Sequence, residues 1–188
     1  MTLRLADPEG TRRDTALAML RQLCPAAELS ADADGFVAPV RQTFCSEGGA
    51  ASHGCRCICA AVAARRTITI RVRDDLSTFG GGRTDDAEPD NTTNGVGSDE
   101  VVNVEHQNRW RVRDPATDVW IDDPDWIILG HELCGHAVPG ANGMHPEWRP
   151  GKKGYDPAWH AQAFEREDEL RESFGLPRLG EHAPSLKP

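Results

Sequence analysis

The stretch from Gly130 to Ala137 reads GHELCGHA, and it decides how the rest of the chain is interpreted. Two histidines on a helix can bind a divalent metal through neutral imidazoles, and a glutamate beside the first can take a proton from an attacking water molecule. The common spacing is H-E-x-x-H, which places both histidines on one helical face. Here His131 and His136 are five residues apart, with Glu132 after the first. The pattern predicts a metal-dependent hydrolase site on a helix.

The extra residue in this motif has a structural consequence. On a regular α-helix, side chains five residues apart diverge by about 140°, too far to share one ion. A π-bulge accommodates one extra residue in a helical turn and realigns the two rings, and such bulges are frequent at functional sites. Gly135 gives the backbone freedom at this point. We therefore predict a π-bulge between His131 and His136.

The six residues from His131 to His136 resemble the H-E-x-x-G-H motif of the dipeptidyl peptidase III family at each fixed position. The resemblance implies a zincin-type zinc peptidase with one Zn²⁺ per chain, held by the two histidines, and with Glu132 as general base. It covers the motif alone, so it concerns the geometry of the site rather than the substrate.

Length and charge indicate a small enzyme. A chain of 188 residues can form one domain with a real core. The formal net charge is −9 and no basic stripe occurs, so nucleic acid is not an expected partner. Apolar runs are too short for a membrane span, and the N-terminus lacks the apolar segment of a signal peptide. We expect a single domain over 1–188, with a cysteine-rich portion at 1–60 and a zinc-binding core at 98–180.

Six cysteines are many for a chain of this size, and five of them lie in the first third. We expect disulfide bonds, and therefore a protein that works in an oxidising space. The preferred pairs are Cys45 with Cys55, across a glycine-rich loop, and Cys24 with either Cys57 or Cys59.

Other interpretations of the cysteines remain open. Buried free thiols are one, and a second metal site made of cysteines with His53 is another, although the paired C-x-x-C spacing of structural zinc sites is missing. The apolar residues 55–64 are expected to form a strand. Cys134, inside the metal motif, is expected to be a small buried packing residue that faces away from the ion.

Hydrophobic periodicity predicts most of the remaining elements. Apolar residues at helical spacing indicate a helix from Thr11 to Leu23. Clean alternation indicates a strand at 67–72, three valines indicate another at 99–105, and residues 109–120 are typical of a hairpin. The acidic, glycine-rich residues 74–97 are expected to form a long loop.

A second helix is predicted from Asp156 to about Phe174, after a long stretch rich in glycine and proline. Four apolar residues define its inward face on a helical wheel: Trp159, Ala163, Leu170 and Phe174. Glu167 lies at the edge of that face, and a buried carboxylate needs a partner such as a metal ion. We therefore expect Glu167 to be the third zinc ligand. Glu165, Asp168 and Glu169 are expected to point toward solvent.

Other roles for the residues around this helix remain open. Glu167 could instead pair with Arg171 on the helix surface, as residues four apart often do. His145 and His160 are rival third ligands. His160 could equally act as a catalytic residue that stabilises the oxyanion of a tetrahedral intermediate.

A wider resemblance becomes visible around the motif. Residues 94–102 read NGVGSDEVV, residues 167–171 read EDELR, and residues 175–178 read GLPR. This order is similar to that of the small zinc endopeptidases that bacteria inject into host cells as type III effectors, which share a glycine-rich turn, a valine strand, a zinc helix ending His-Ala and a later E-N-x-L-R segment. The similarity spans roughly 94–180 and departs at the extra motif residue and at Asp168, where the family has asparagine.

This resemblance implies an endopeptidase that acts on a peptide or protein substrate. Related domains also occur as toxins delivered into competitor bacteria, which implies a cognate immunity protein or a secretion-system carrier as partner and delivery into a space such as the periplasm. A hydrolase of a non-peptide amide, such as cell-wall material, and a non-catalytic metal-binding module remain as alternatives.

The predicted fold is a single-domain, zincin-like α+β structure, in which a small twisted sheet packs on the metal-binding helix and a second helix supplies a ligand. His131, His136 and Glu167 are expected to hold the zinc ion. The strand at 99–105 is expected to be a sheet edge against which an extended substrate pairs.

Overall fold

The computed structural model describes residues 2–7, 9–47, 51–74, 76, 81–106, 110–144, 157–179 and 185–186. In chain order the elements are β1 (Leu3–Leu5), α1 (Thr11–Leu23), β2 (Leu29–Ala31), β3 (Val37–Pro39), α2 (His53–Val62), β4 (Ile68–Arg73), β5 (Gly82–Asp86), a 3-10 turn (Pro89–Asn91), β6 (Glu100–Glu105), β7 (Trp110–Arg113), β8 (Trp120–Asp122), α3 (Asp125–Gly130), a π-helical segment (His131–Ala137), α4 (Val138–Ala141), α5 (Pro157–Ser173) and β9 (Ser185–Leu186).

The main sheet has four strands in the order β1-β4-β6-β5. The first three are parallel, with Ile70 of β4 opposite Val102 of β6, and β5 runs antiparallel to β6. Alternate residues of β4, namely Ile68, Ile70 and Val72, point into the core, because a strand directs successive side chains to opposite faces. β6 lies inside the sheet and β5 forms one of its edges.

The helices pack against the buried face of this sheet and against one another. α1 contacts β4 and α3, and the π-helical segment contacts β5 and β6. α5 lies on the far side of the π-helical segment. The segment that carries the motif is therefore enclosed between a sheet and a helix, and the fold is a compact α+β domain, as predicted.

Three disulfide bonds connect the N-terminal part of the chain to itself and to the motif. They join Cys24 to Cys55, Cys45 to Cys59, and Cys57 to Cys134. No cysteine is left free. The prediction of disulfides is confirmed, but both preferred pairings were wrong, and Cys134 is cross-linked rather than a free packing residue.

The strand predicted at residues 55–64 was wrong, because the cysteine spacing fits a helix as well as a strand. Residues 55–64 were expected to be a strand, whereas His53–Val62 is a helix whose Ser52 side chain accepts a hydrogen bond from the Cys55 N–H. Residues i and i+4 share a face both on a strand and on a helix, so the C-x-C-x-C pattern does not separate the two structures.

Two further predictions of strand structure need correction. The stretch 74–97 was expected to be a loop, but it contains β5 and the 3-10 turn. The strand predicted at 99–105 exists as β6, but β4 and β5 pair with its two edges, so it has no free edge. The helix over Thr11–Leu23 and the hairpin formed by β7 and β8 are confirmed.

Among the described residues, none of the helices combines the length and the apolar character needed to cross a bilayer. The three disulfides indicate an oxidising environment for the folded chain.

Candidate metal centre

The motif lies on a helix that changes its winding at the first histidine. α3 runs in α-helical form to Gly130, the next seven residues are π-helical, and α4 continues after Ala137. The π-bulge prediction is therefore confirmed. The wider turn brings the rings of His131 and His136 to a centroid distance of 5.1 Å, and both side chains are buried. Two imidazoles five residues apart in sequence thus lie together.

His160 of α5 is the third histidine at this place. Its ring centroid is 5.0 Å from that of His136 and 6.1 Å from that of His131. One ligand nitrogen from each of the three rings lies within 4.8 Å of the other two. These three histidines are the candidate metal centre.

A close contact between two helices brings His160 to this position. Gly135 faces Ala163, which lies one turn after His160, and a β-carbon on the glycine would fall 2.6 Å from the Ala163 Cβ and 2.7 Å from its Cα. Only a glycine lets the backbones approach this closely. The glycine of the motif therefore allows α5 to dock against the π-helical segment.

The donor set fits a transition-metal ion. Imidazole suits zinc, copper, iron and nickel, and three histidines with one open position form a known type of catalytic zinc site. Ligand nitrogens of a tetrahedral zinc site lie about 3.4 Å apart, so a small closure of the three rings would suffice. Burial, with a contribution from the charge of His131, lowers the pKa of His160 to about 4. His160 is therefore neutral near pH 7, as a ligand must be.

Glu167 differs from its predicted role as third ligand. It points inward and is buried, as expected, but its Oε2 atom accepts a hydrogen bond from Nδ1 of His131 at 2.8 Å, and its Oε1 atom lies 3.4 Å from Nη1 of Arg171. The carboxylate therefore binds the outer nitrogen of a candidate ligand and leaves Nε2 of His131 for an ion. Such carboxylate–histidine pairs orient the ring and fix its tautomer.

The ionisation of His131 reflects two opposing effects. Burial alone would lower the pKa of His131, but the hydrogen bond and charge of Glu167, with the nearby carboxylates of Glu132 and Asp123, outweigh it and raise the pKa. Glu167 thus orients His131 and, without an ion, favours its protonated form; a metal bound at Nε2 would displace that proton.

Arg171 anchors this carboxylate from behind. Its side chain is fully buried, and Nη1 donates to Oδ1 of Asp123 at 2.8 Å while Nε donates to the carbonyl oxygen of Pro177 at 2.9 Å. The Glu167–Arg171 pair that was considered for the helix surface thus exists in the interior. A buried charge needs such partners, and these contacts tie α5 to the start of α3 and to the chain after α5.

Glu132 lies next to the edge strand β5. The hydroxyl of Thr84 donates to its Oε2 atom at 2.8 Å. Burial raises the pKa of Glu132, while the charge of His131 and the Thr84 hydrogen bond oppose the change. Gly82 makes room for this carboxylate, because a β-carbon there would fall 2.8 Å from Glu132 Cγ and 3.0 Å from its Oε1 atom.

The remaining predicted residues have different outcomes. Glu165 is exposed, as expected. Asp168 was expected to face solvent, yet it is buried and its Oδ1 atom accepts a hydrogen bond from the backbone N–H of Leu179 at 2.6 Å. His53 pairs with Glu169 rather than with cysteines. His145 lies outside the described residues.

Thr84 and Asp123 are site residues that sequence reasoning missed. Thr84 lies in a stretch without hydrophobic alternation, so nothing marked it as strand. Asp123 is 48 residues from Arg171 in sequence, and no local pattern links them.

Comparison with known proteins gives no relatives for this chain: no family model, curated protein or solved structure matches it.

Proposed function

We propose that this protein is a zinc-dependent peptidase. The observation that carries the proposal is the cluster of three imidazoles, His131 and His136 on the π-helical segment and His160 on α5, with the buried carboxylate of Glu132 next to His131 in the chain. Zinc bound by three histidines supplies a Lewis acid that polarises the scissile carbonyl and makes water more acidic. A site that served structure alone would have no need of a carboxylate base beside it.

Glu132 is the general base in this proposal. Because its pKa is raised, the Glu132 carboxylate is a stronger base than an ordinary glutamate. It can therefore take a proton from the attacking water and return it to the leaving amine. The Thr84 hydroxyl holds the Oε2 atom, which leaves Oε1 to receive the proton. Thr84 thus orients the base without taking part in proton transfer.

The edge strand β5 is the proposed docking site for an extended substrate. We assign this role to β5 instead of the strand at 99–105, because both edges of β6 are paired and β5 is at the end of the sheet. A peptide added to the outer edge of β5 would run past Thr84 and Glu132 through main-chain hydrogen bonds. Such pairing favours a polypeptide over a small amide.

The proposed setting is outside the cytoplasm of the producing cell. Three disulfides favour an oxidising space, such as the periplasm of a target cell. The resemblance of residues 94–180 to effector endopeptidases supports a secreted toxin or effector that acts on a protein, with an immunity protein or secretion carrier as partner. Two residues of that resemblance support a shared site, because Glu167 accepts a hydrogen bond from His131 and Arg171 pairs with Glu167.

Metal analysis followed by a cleavage screen tests the proposal. We expect about one zinc per chain after dialysis, and cleavage of a peptide library or of periplasmic proteins. Glu132→Gln should retain zinc and lose cleavage by about 10²–10⁴-fold. His136→Ala should lose stoichiometric zinc. Hydrolysis of cell-wall amides without peptide cleavage would contradict the substrate class, and zinc binding with no hydrolysis would indicate a binding module.

A further inference from the structure

The disulfide between Cys57 and Cys134 ends inside the metal motif. Cys134 is the fourth of the seven π-helical residues and lies between Glu132 and His136. Its partner Cys57 is in α2, and both side chains are buried. The other two disulfides join α2 to residues of the N-terminal part of the chain and do not touch the motif.

The two histidines of the motif are one residue too far apart to bind one ion from a regular α-helix. π-Helices are rare, and they occur mostly as single turns at functional sites. If the segment rewound as a regular α-helix, His131 and His136 would diverge by about 140° and could not share an ion. Something must therefore favour the wider winding over the ordinary one.

The disulfide holds the segment at the point where the extra residue is accommodated. Cys134 is fixed to α2 on one side, while the adjacent Gly135 packs against Ala163 of α5 on another. Rewinding would rotate Cys134 relative to the residues before or after it by roughly 100°. A covalent bond to a packed helix opposes that rotation.

We propose that Cys134 is a positioning residue, and that the Cys57–Cys134 disulfide maintains the π-helical winding that lets His131 and His136 bind one ion. The inference rests on the proposed metal centre and adds a redox control to it. A dithiol reductant would donate two electrons to the S–S bond, break it to two thiols and itself become a disulfide. The metal affinity would then fall in a reducing compartment.

Deletion of one residue should restore metal binding when the disulfide is absent. Removing Cys134 changes HELCGH to HELGH, in which the histidines are four residues apart. That spacing puts both rings on one face of an ordinary α-helix, so the shortened motif needs no anchor. The requirement for the disulfide should disappear together with the extra residue.

Zinc affinity measured by chelator competition, with cobalt absorption spectra as a second readout, tests the proposal on the full chain. Cys57→Ser/Cys134→Ser should bind zinc about 10–100-fold more weakly than the parent, the range found when ligand orientation is lost, and its cobalt spectrum should change. Cys45→Ser/Cys59→Ser removes another disulfide of α2 and is the matched control, expected to bind zinc within about threefold of the parent. Cys57→Ser with deletion of Cys134 should recover most of the affinity.

Several outcomes would overturn the inference. A folded Cys57→Ser/Cys134→Ser variant with parental affinity and cobalt spectrum would do so, as would equal losses in both double variants. If Cys57→Ser/Cys134→Ser does not fold, the variant that combines Cys57→Ser with deletion of Cys134 decides the question. If this deletion variant folds but binds no zinc, the positioning role is refuted. If it recovers most of the zinc affinity, the positioning role is supported. Absence of zinc binding in the parent protein would instead remove the metal centre, and this inference with it.

Discussion

Ala163 lies against Gly135 so closely that its Cα atom would be 2.7 Å from a β-carbon on the glycine. This contact sets the distance between α5 and the π-helical segment. Because His160 is one turn before Ala163 on the same helix, the contact also sets how near the third imidazole comes to the other two. The motif thus determines the third ligand through packing as well as supplying the first two.

Gly135→Ala should therefore weaken both the fold and the metal centre. The added methyl group must displace α5, and we expect a loss of about 1–3 kcal/mol in the free energy of unfolding, as for other overpacked contacts, and zinc affinity reduced about tenfold as His160 moves away. Denaturant unfolding and chelator competition measure the two effects. Adding Ala163→Gly should restore only part of each, because the contact with the Ala163 Cα remains. Full parental affinity in Gly135→Ala would contradict the packing argument.

The histidine site predicts which side chains on α5 matter for the metal. His160→Ala should lower zinc affinity more than Glu167→Gln, because it removes a proposed ligand, whereas Glu167→Gln keeps a side chain beside Nδ1 of His131 and should cost about 10–100-fold. The exposed Glu165→Gln is the control and should bind zinc like the parent. X-ray absorption at the zinc edge would count the imidazole ligands. A carboxylate in the first coordination sphere would return Glu167 to the role predicted from sequence.

Thr84 offers a test of how the general base is oriented. Thr84→Val keeps the shape of the side chain but removes the hydroxyl that donates to Glu132, so we expect kcat to fall about tenfold, with zinc content unchanged. Thr84→Ser retains the hydroxyl and should keep most of the activity. The pH dependence of kcat should also shift in Thr84→Val, since a hydrogen bond to the carboxylate lowers its pKa and the variant lacks it. An identical pH profile in the two variants would argue against an orienting role.

Glu100 should make the free energy of unfolding depend on pH. Burial, and then the neighbouring Asp86 and Asp99, raise its pKa to about 11. From about pH 4.5 upward the unfolded chain releases this proton while the folded chain keeps it, so stability falls with rising pH by about 1.4 kcal/mol per unit. Glu100→Gln removes this dependence, and its advantage over the parent should increase from near zero at pH 4 to on the order of 3 kcal/mol at pH 7.

Denaturant unfolding of the metal-free protein at several pH values measures this difference. Glu88→Gln alters an exposed carboxylate nearby and serves as the control, with no comparable gain expected. A constant difference between parent and Glu100→Gln across pH 4–8 would show that Glu100 ionises normally in the folded chain.

The π-helical winding of the motif could be predicted from sequence because it depends only on the spacing of two nearby histidines. Two histidines that must share an ion at a spacing of five require a π-turn, and the segment is π-helical. The clean alternation in β4 and the amphipathic pattern of α1 were equally decisive. By contrast, β5 reads GRTDD and carries no apolar alternation, so its pairing with β6 was invisible in the sequence.

The third ligand shows what a helical wheel leaves undetermined. His160 and Glu167 are seven residues apart, so they face within about 20° of one another and differ mainly in height along α5, by about 10 Å. A helical wheel gives the direction in which a side chain points, but not its position along the helix axis. The Gly135–Ala163 contact fixes the height, and it puts His160 level with the histidine pair while Glu167 meets the outer nitrogen of His131.

The three disulfides overlap along the chain, and this has a consequence for survival among proteases. The first closes the interval from Cys24 to Cys55, the second that from Cys45 to Cys59, and the third that from Cys57 to Cys134. Each interval begins before the previous one ends, so any single backbone cut between Cys24 and Cys134 leaves both fragments covalently joined. A nicked molecule would keep its pieces together, and the cut would become visible on a gel only after reduction.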